Sequence, residues 1–178
     1  MTPAQEFRTT ATPDHGLVQI YDSDAYLPDG IAAERARETV AASSGPQLYL
    51  HSRQRTSPVE LVLRVWDGPA PATEADWAPE GQTASLLDSP TGMLVVRASS
   101  PEIAGVLDLP RTGVYAVRVS WRGRGLAAAQ QAALLRALAD GPGDGQAVLA
   151  AHQEVLETYR LDLWWQFESY QDEDNEEY

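Results

Sequence analysis

The sequence predicts a mainly-β protein, an antiparallel β-sandwich with one or two peripheral α-helices, and three observations carry that expectation. Alternation is the first. From Gly113 to Trp121, the residues Tyr115, Val117, Val119 and Trp121 fall on one face of an extended chain, while Arg118 and Ser120 fall on the other. A period of two in aromatic and β-branched residues is the mark of a half-buried strand. Val59 to Trp66 repeats it with Val59, Leu61, Leu63 and Val65. Tyr159 to Phe167 repeats it with Tyr159, Leu161, Leu163, Trp165 and Phe167, leaving Arg160, Asp162, Trp164 and Gln166 opposite. Punctuation is the second: Asp67-Gly68-Pro69, Ser89-Pro90-Thr91-Gly92 and Leu109-Pro110-Arg111-Thr112-Gly113 interrupt these runs with residues that helix and strand both avoid. The third is the near-regular spacing of strand and turn signals, which indicates a sandwich or barrel.

Taken in order, residues 1–13 are polar, with Thr9, Thr10, Thr12 and two prolines, and read as a flexible arm ahead of one domain spanning 14–167. Leu17 to Tyr21 reads as a first strand, ended by Asp22-Ser23-Asp24. Ile31 to Ala42 is rich in Ala, Glu and Arg and reads as a short helix that Asp29 could cap, broken by Ser43-Ser44-Gly45-Pro46. Gln47 to Ser52 reads as a strand. Thr83 to Leu87 and Met93 to Ala98 flank the turn Asp88 to Gly92 and read as a hairpin, the loop of five residues being a common length. Ile103 to Leu109 is either a strand or an irregular crossing. Leu126 to Ala139 has good helix propensity and ends at Asp140-Gly141-Pro142-Gly143, an insertion between strands at about 125–140. Ala147 to Glu157 is a further helical turn or the lead-in to the last strand, and 168–178 is an acidic tail with six carboxylates in eleven residues.

At 178 residues the chain is long enough to bury a full core without metals or crosslinks. It has no cysteine, which removes disulfides, thiolate catalysis and cysteine-ligated zinc. No run approaches the roughly 20 apolar residues of a membrane span, and the first residues carry an acid and no apolar stretch, so the expectation is a cytoplasmic protein. All 13 basic side chains are Arg, against 26 acids, for a formal net charge of −13. A surface this negative repels phosphate backbones and anionic membranes and attracts basic proteins in a salt-sensitive way. Direct nucleic-acid and membrane binding are therefore not expected.

Catalytic and metal-binding constellations are not evident. His15, His51 and His152 lie at spacings that suit no metal site, and Asp22, Asp24 and Asp29 lack the glycine and terminal Glu of a calcium loop. There is no Gly-x-Ser-x-Gly elbow, and Gly141 to Gly145 has no Lys with which to cradle phosphate. No enzyme activity, cofactor or metal is expected. Trp77 stands out among the five tryptophans because it lies in the polar segment Ala72-Thr73-Glu74-Ala75-Asp76-Trp77-Ala78-Pro79-Glu80. An aromatic ringed by carboxylates has the composition of a hot spot for a basic partner; alternatively, the ring folds back over an open end of the sheet.

The phrases Val65-Trp66-Asp67-Gly68-Pro69, Ser89-Pro90-Thr91-Gly92, Leu109 to Val119 and Tyr159 to Trp164 resemble small bacterial β-sandwich proteins related to competence protein J, discontinuously over about 59–167. That resemblance implies a cytosolic inhibitor that binds and silences a nuclease, and such sandwiches are also similar to immunity proteins of toxin systems. The helices near 31–42 and 126–139 and the acidic tail have no place in that pattern, and no functional residue is carried over. The expected function is stoichiometric binding to a basic nuclease or toxin through Glu74, Asp76, Glu80, Asp172, Glu173 and Asp174, with Trp77 as the desolvated anchor. The alternative is a small-ligand or carbohydrate-binding sandwich whose groove is lined by Trp121 or Trp164, with binding insensitive to salt.

Overall fold

Two five-stranded sheets face one another in the computed structural model, which describes residues 2–25, 27–55, 57–72, 77–97, 99, 103–141, 143–151 and 154–170. The first sheet has the order β1 (Gln5–Ala11), β5 (Val59–Trp66), β10 (Thr158–Phe167), β9 (Gly113–Arg122), β6 (Gly81–Ser89). The second has the order β3 (Ala41–Ser44), β4 (Gln47–His51), β2 (Leu17–Asp22), β7 (Met93–Arg97), β8 (Ile103–Asp108). Every pairing is antiparallel except β5 with β10.

The alternating runs behave as their period dictates. Leu61 and Leu63 on β5, Val119 on β9 and Tyr159, Leu161 and Leu163 on β10 are 0% exposed. They share one core with Ile20, Leu48, Leu94 and Val96 of the second sheet. At about 25 cal/mol per Å² of apolar surface removed from water, this layer is the main stabilising term of the fold. The sheet edges are stitched as well: Gln5 Nε2 donates to the Asp108 carbonyl at 2.8 Å, Thr9 Oγ1 donates to the Ala104 carbonyl at 2.7 Å, and the hydroxyls of Ser43 and Ser85 are hydrogen-bonded.

Three expectations are corrected. Residues 5–11 are an edge strand paired along β5 from Gln5 opposite Val65 to Ala11 opposite Val59, and not part of a loose arm. Phe7, Thr9 and Ala11 point inward between exposed Glu6, Arg8 and Thr10, a polar-rich alternation suited to an edge. Phe7 reaches so far across that a Cβ on Gly105 would lie 2.3 Å from its ring, so any side chain at that position of β8 has to displace the ring. Second, β6 and β7 are not a hairpin, because they belong to different sheets. Their turn is an arch held by Asp22, a fully buried carboxylate that accepts from Ser89 Oγ at 2.7 Å, Thr91 Oγ1 at 2.7 Å and Thr91 N at 3.1 Å. Third, the first helix, α1 (Gly30–Thr39), stops at Val40, whose φ of 74° turns the chain back into β3. The hairpin of this region is β3–β4, around Gly45-Pro46. Asp29 caps α1 by accepting from Ile31 N at 3.0 Å and Ala32 N at 3.1 Å, and Ala32 and Ala36 pack on Ala42 and Tyr49.

The expected peripheral helices are present, and among the described residues there are three of them, α1 and two more in the insertion. Between the paired strands β9 and β10 the chain leaves the sheet to form α2 (Arg124–Ala139) and α3 (Gly145–Ala151). Only Ala127 and Leu134 of α2 are buried, and Leu126, Leu135 and Leu138 are exposed. Among the described residues no helix is long and apolar enough to cross a membrane.

Candidate functional site

The same alternation that fills the core leaves an outward row on each central strand of the first sheet: Glu60, Val62, Arg64 and Trp66 on β5, Arg160, Asp162 and Trp164 on β10, and Arg118, Ser120 and Arg122 on β9. Register sets their relation. Asp162, on the middle strand, lies opposite Arg64 on one side and Arg118 on the other. Its Oδ1 accepts from Arg64 Nε at 3.0 Å and from Trp66 Nε1 at 2.8 Å, and its Oδ2 accepts from Arg118 Nη2 at 3.1 Å. Arg160 Nε lies 3.7 Å from Oδ2.

This outward face is not a solvated one. Asp162 is 0% exposed, Arg160 5% and Arg64 7%. Removing a carboxylate from water costs several kcal/mol unless cations and donors replace its hydration, and here three guanidinium groups and an indole do so.

Trp77 covers it. The ring is 8% exposed, with the Arg122 guanidinium carbon 4.0 Å and that of Arg160 4.9 Å from its centre. The acid-flanked aromatic therefore meets cations of its own chain, each contact being worth about 0.5–2 kcal/mol. It folds back over the outer face of the first sheet and not out into solvent, and an exposed partner anchor at this position is corrected accordingly. Its Nε1 is buried with no hydrogen-bond partner. Beside the ring a pocket of about 230 Å³ is lined by Arg8, Glu60, Val62, Arg64, Trp77, Arg122 and Arg160. Arg8 is shared between Glu6 at 2.8 Å and Glu60 at 3.3 Å. Trp121 and Trp164 do not line it; Trp121 packs against the core.

Of the acids expected to meet a partner, Glu80 is exposed and accepts from Gly123 N at 2.6 Å, which ties the end of the long loop to the start of α2. Glu74, Asp76, Asp172, Glu173 and Asp174 lie outside the described residues.

A second polar cluster sits where the helical insertion rejoins the sheet. Glu157, 0% exposed, accepts from Arg53 N at 2.8 Å, from Ser52 Oγ at 3.2 Å and from the Tyr159 hydroxyl. Burial pushes its carboxyl above the ordinary range despite these donors. Next to it His51 faces Arg124, whose Nη2 is 3.4 Å from Nδ1. Desolvation, reinforced by the positive charges of Arg124, Arg37, Arg53 and Arg55, pushes the imidazole down from 6.5 to about 4. His15 pairs with Asp14 at the surface, and His152 lies outside the described residues. Among the described residues no three His, Asp or Glu side chains converge to hold a metal ion.

Sequence reasoning placed Arg118, Arg160 and Asp162 on an outward face but did not join them to Arg64. The signal was available: three runs with apolar inward faces each carry an Arg outward, and Trp66 and Trp164 share those positions, a composition too apolar for a face left to water.

No family model matches the chain, and no curated protein matches it by sequence. Among solved structures, the fold is similar to that of ComJ from Bacillus subtilis, an inhibitor of the DNA degrading activity of NucA. The identity is 12% and the TM-score 0.56, over 93% of this chain and 98% of that one. It is also similar to the product of crocagin biosynthetic gene J, at 14% identity and a TM-score of 0.52, over 92% of this chain and 99% of that one. The resemblance to ComJ noted in the sequence holds at the level of the fold.

Proposed function

We propose that this chain is a stoichiometric inhibitor or immunity-type protein that binds and blocks a basic bacterial protein of the nuclease or toxin kind. The observation that carries this reading is its likeness in fold to ComJ, which extends over 93% of this chain and 98% of that one. Charge supports it. Five of the 13 arginines, Arg8, Arg64, Arg118, Arg122 and Arg160, are gathered around one face of one sheet, while the chain carries 26 acids in all. The remaining surface is correspondingly more acidic and suited to steering a cationic partner.

In this reading the recognition surface combines Glu80, the acids Glu74 and Asp76 that precede Trp77, and Asp172, Glu173 and Asp174 of the tail. Carboxylates there meet the Arg and Lys side chains with which a nuclease receives phosphate. Trp77 acts indirectly, fixing the long loop to the sheet beneath it. The test is to recover DNA-degrading activity from host lysate on the immobilised chain at low salt and to titrate that activity with free chain. Loss of cleavage near one equivalent, relieved as salt rises, is the expected result; unimpaired cleavage at a large excess would remove the inhibitor reading.

A further inference from the structure

The end of β10 is fastened to its neighbours and yet leaves two rings in water. A bulge between Trp165 and Phe167 interrupts the regular pairing with β9, the kind of irregularity that re-aims side chains at a sheet rim. Trp165 Nε1 donates to the Thr112 carbonyl at 3.0 Å, Arg111 Nη2 donates to Glu168 Oε1 at 2.9 Å, and Ser169 Oγ donates to Asp88 Oδ1 at 2.7 Å. Gly113, with φ +139°, lets the strand end lie close, since a Cβ there would be 2.6 Å from the Phe167 carbonyl oxygen. On this tied backbone Phe167 and Tyr170 pack edge to face with centroids 5.8 Å apart, 40% and 70% exposed. Aromatic rings held side by side at a fixed place have the composition of an interface hot spot.

The same segment shows what such a ring takes. Arg111 stacks on Trp165, its guanidinium carbon 3.3 Å from the ring centre, while it pairs with Glu168, so one guanidinium is held by an aromatic face and by a carboxylate three residues further along. Phe167 and Tyr170 stand in a similar setting, because 165–178 holds six acids and no base, and five of those acids follow Tyr170. A second copy of the chain is a poor occupant, since both copies carry −13 and the same acid block. The chain beyond Tyr170 is a poor cover as well, its one apolar side chain being Tyr178. A cationic partner suits both the rings and the charge. Arg fits better than Lys, because a planar, weakly hydrated guanidinium stacks on a ring while its N–H groups pair with carboxylate.

We propose that Phe167 and Tyr170 are the anchor with which this chain holds its basic partner, and that they receive arginine side chains of that partner. The proposal rests on the reading of the chain as an inhibitor of a basic protein, and it adds the exposed aromatic that Trp77, lying against Arg122 and Arg160, does not supply. Carboxylates beyond Tyr170 attract cations of either kind, and the rings discriminate between them.

The experiment is calorimetric titration of the full chain with nona-arginine and with nona-lysine at about physiological salt. The parent should prefer nona-arginine by roughly tenfold or more, two exposed ring contacts being worth about that factor. Phe167→Leu and Tyr170→Leu together keep apolar volume and remove the aromatic faces, so most of the preference should be lost, whereas Phe167→Tyr should retain it. Asp172→Asn, Glu173→Gln and Asp174→Asn together should weaken both peptides. An unchanged ratio in the double Leu variant, with circular dichroism matching the parent, would overturn the proposal, as would a parent that binds neither peptide. The same double variant assayed against host DNA-degrading activity separates the two claims. Equal inhibition by parent and variant would remove the anchor and leave the inhibitor reading standing; arginine-selective binding that the variant loses, without inhibition by the parent, would keep the arginine surface and remove the inhibitor reading.

Discussion

Arg64 on β5 faces Asp162 on β10 across a parallel pairing, its Nε 3.0 Å from a carboxylate oxygen that water does not reach. The apolar core lies on one side of these strands and the arginine cluster on the other, so the central strands are buried on both faces. The pairing is what makes the outer face a built layer and not a rim of solvated charge.

Removing Asp162 should therefore be far more damaging than removing a surface acid. Asp162→Ala leaves Arg64, Arg118 and Arg160 facing one another with their common anion gone, and breaking a buried ion pair from one side costs about 3–5 kcal/mol. Urea denaturation should show a midpoint lowered accordingly, while Glu34→Ala, which removes an exposed i,i+3 partner of Arg37, should change stability by less than about 0.5 kcal/mol.

The arch between β6 and β7 gives a second expectation. Asp22 is the shared acceptor for Ser89 Oγ, Thr91 Oγ1 and Thr91 N, and without it the turn that carries the chain from one sheet to the other loses its only charged partner among the described residues. Asp22→Ala should destabilise by about 3 kcal/mol, since each hydrogen bond to a charged group is worth about 1.5–3 kcal/mol and the three do not add fully. Ser89→Ala, removing one donor, should cost less than half as much by thermal unfolding.

How the sequence and the structure compare turns on what a one-dimensional pattern can carry. The periods of β5, β9 and β10 are strong because their inward faces are wholly apolar, and the fold class follows from them. A turn such as Asp88 to Gly92 has the same local chemistry whether the next strand returns to its own sheet or crosses to the other; what decides is Asp22, 67 residues from Ser89 in the chain. The strand at 5–11 was hidden for a related reason, since an edge strand needs only Phe7, Thr9 and Ala11 inward and its polar outward residues resemble a tail. Trp77 was legible as exceptional and its folding back as one of two readings, but its contacts were not, because Arg122 and Arg160 come from strands read separately. The pocket beside it required all three central strands in register.

Two glycines near the helical insertion should respond oppositely to the same substitution. Gly123 has φ +85°, and a Cβ there would lie 1.9 Å from the Leu156 carbonyl oxygen, so Gly123→Ala must displace backbone where α2 leaves β9. A loss of more than about 2 kcal/mol is expected from the strained φ and the clash together. Gly125 has open space around it and lies within α2, so Gly125→Ala should leave stability unchanged or raise it by up to about 1 kcal/mol. Paired chemical denaturation of the two variants checks both signs.

His51 gives the insertion a pH dependence whose direction follows from its environment. The folded imidazole resists protonation until about 4, whereas the unfolded one takes a proton near 6.5. The neutral ring thus contributes stability that is present above about 6.5 and is lost as the pH falls toward 4, because the unfolded state binds the proton more readily. Glu157 works the other way: its raised carboxyl contributes stability at acid pH that is lost as the pH rises through the folded value. The two contributions oppose one another over part of the range, so each is isolated by difference. The parent's advantage in Tm over His51→Gln should shrink as the pH is lowered from 6.5 to 4, and its advantage over Glu157→Gln should shrink as the pH rises above the ordinary carboxylate range. A constant offset between parent and His51→Gln across that interval would show that the imidazole is not held neutral by Arg124 and its neighbours.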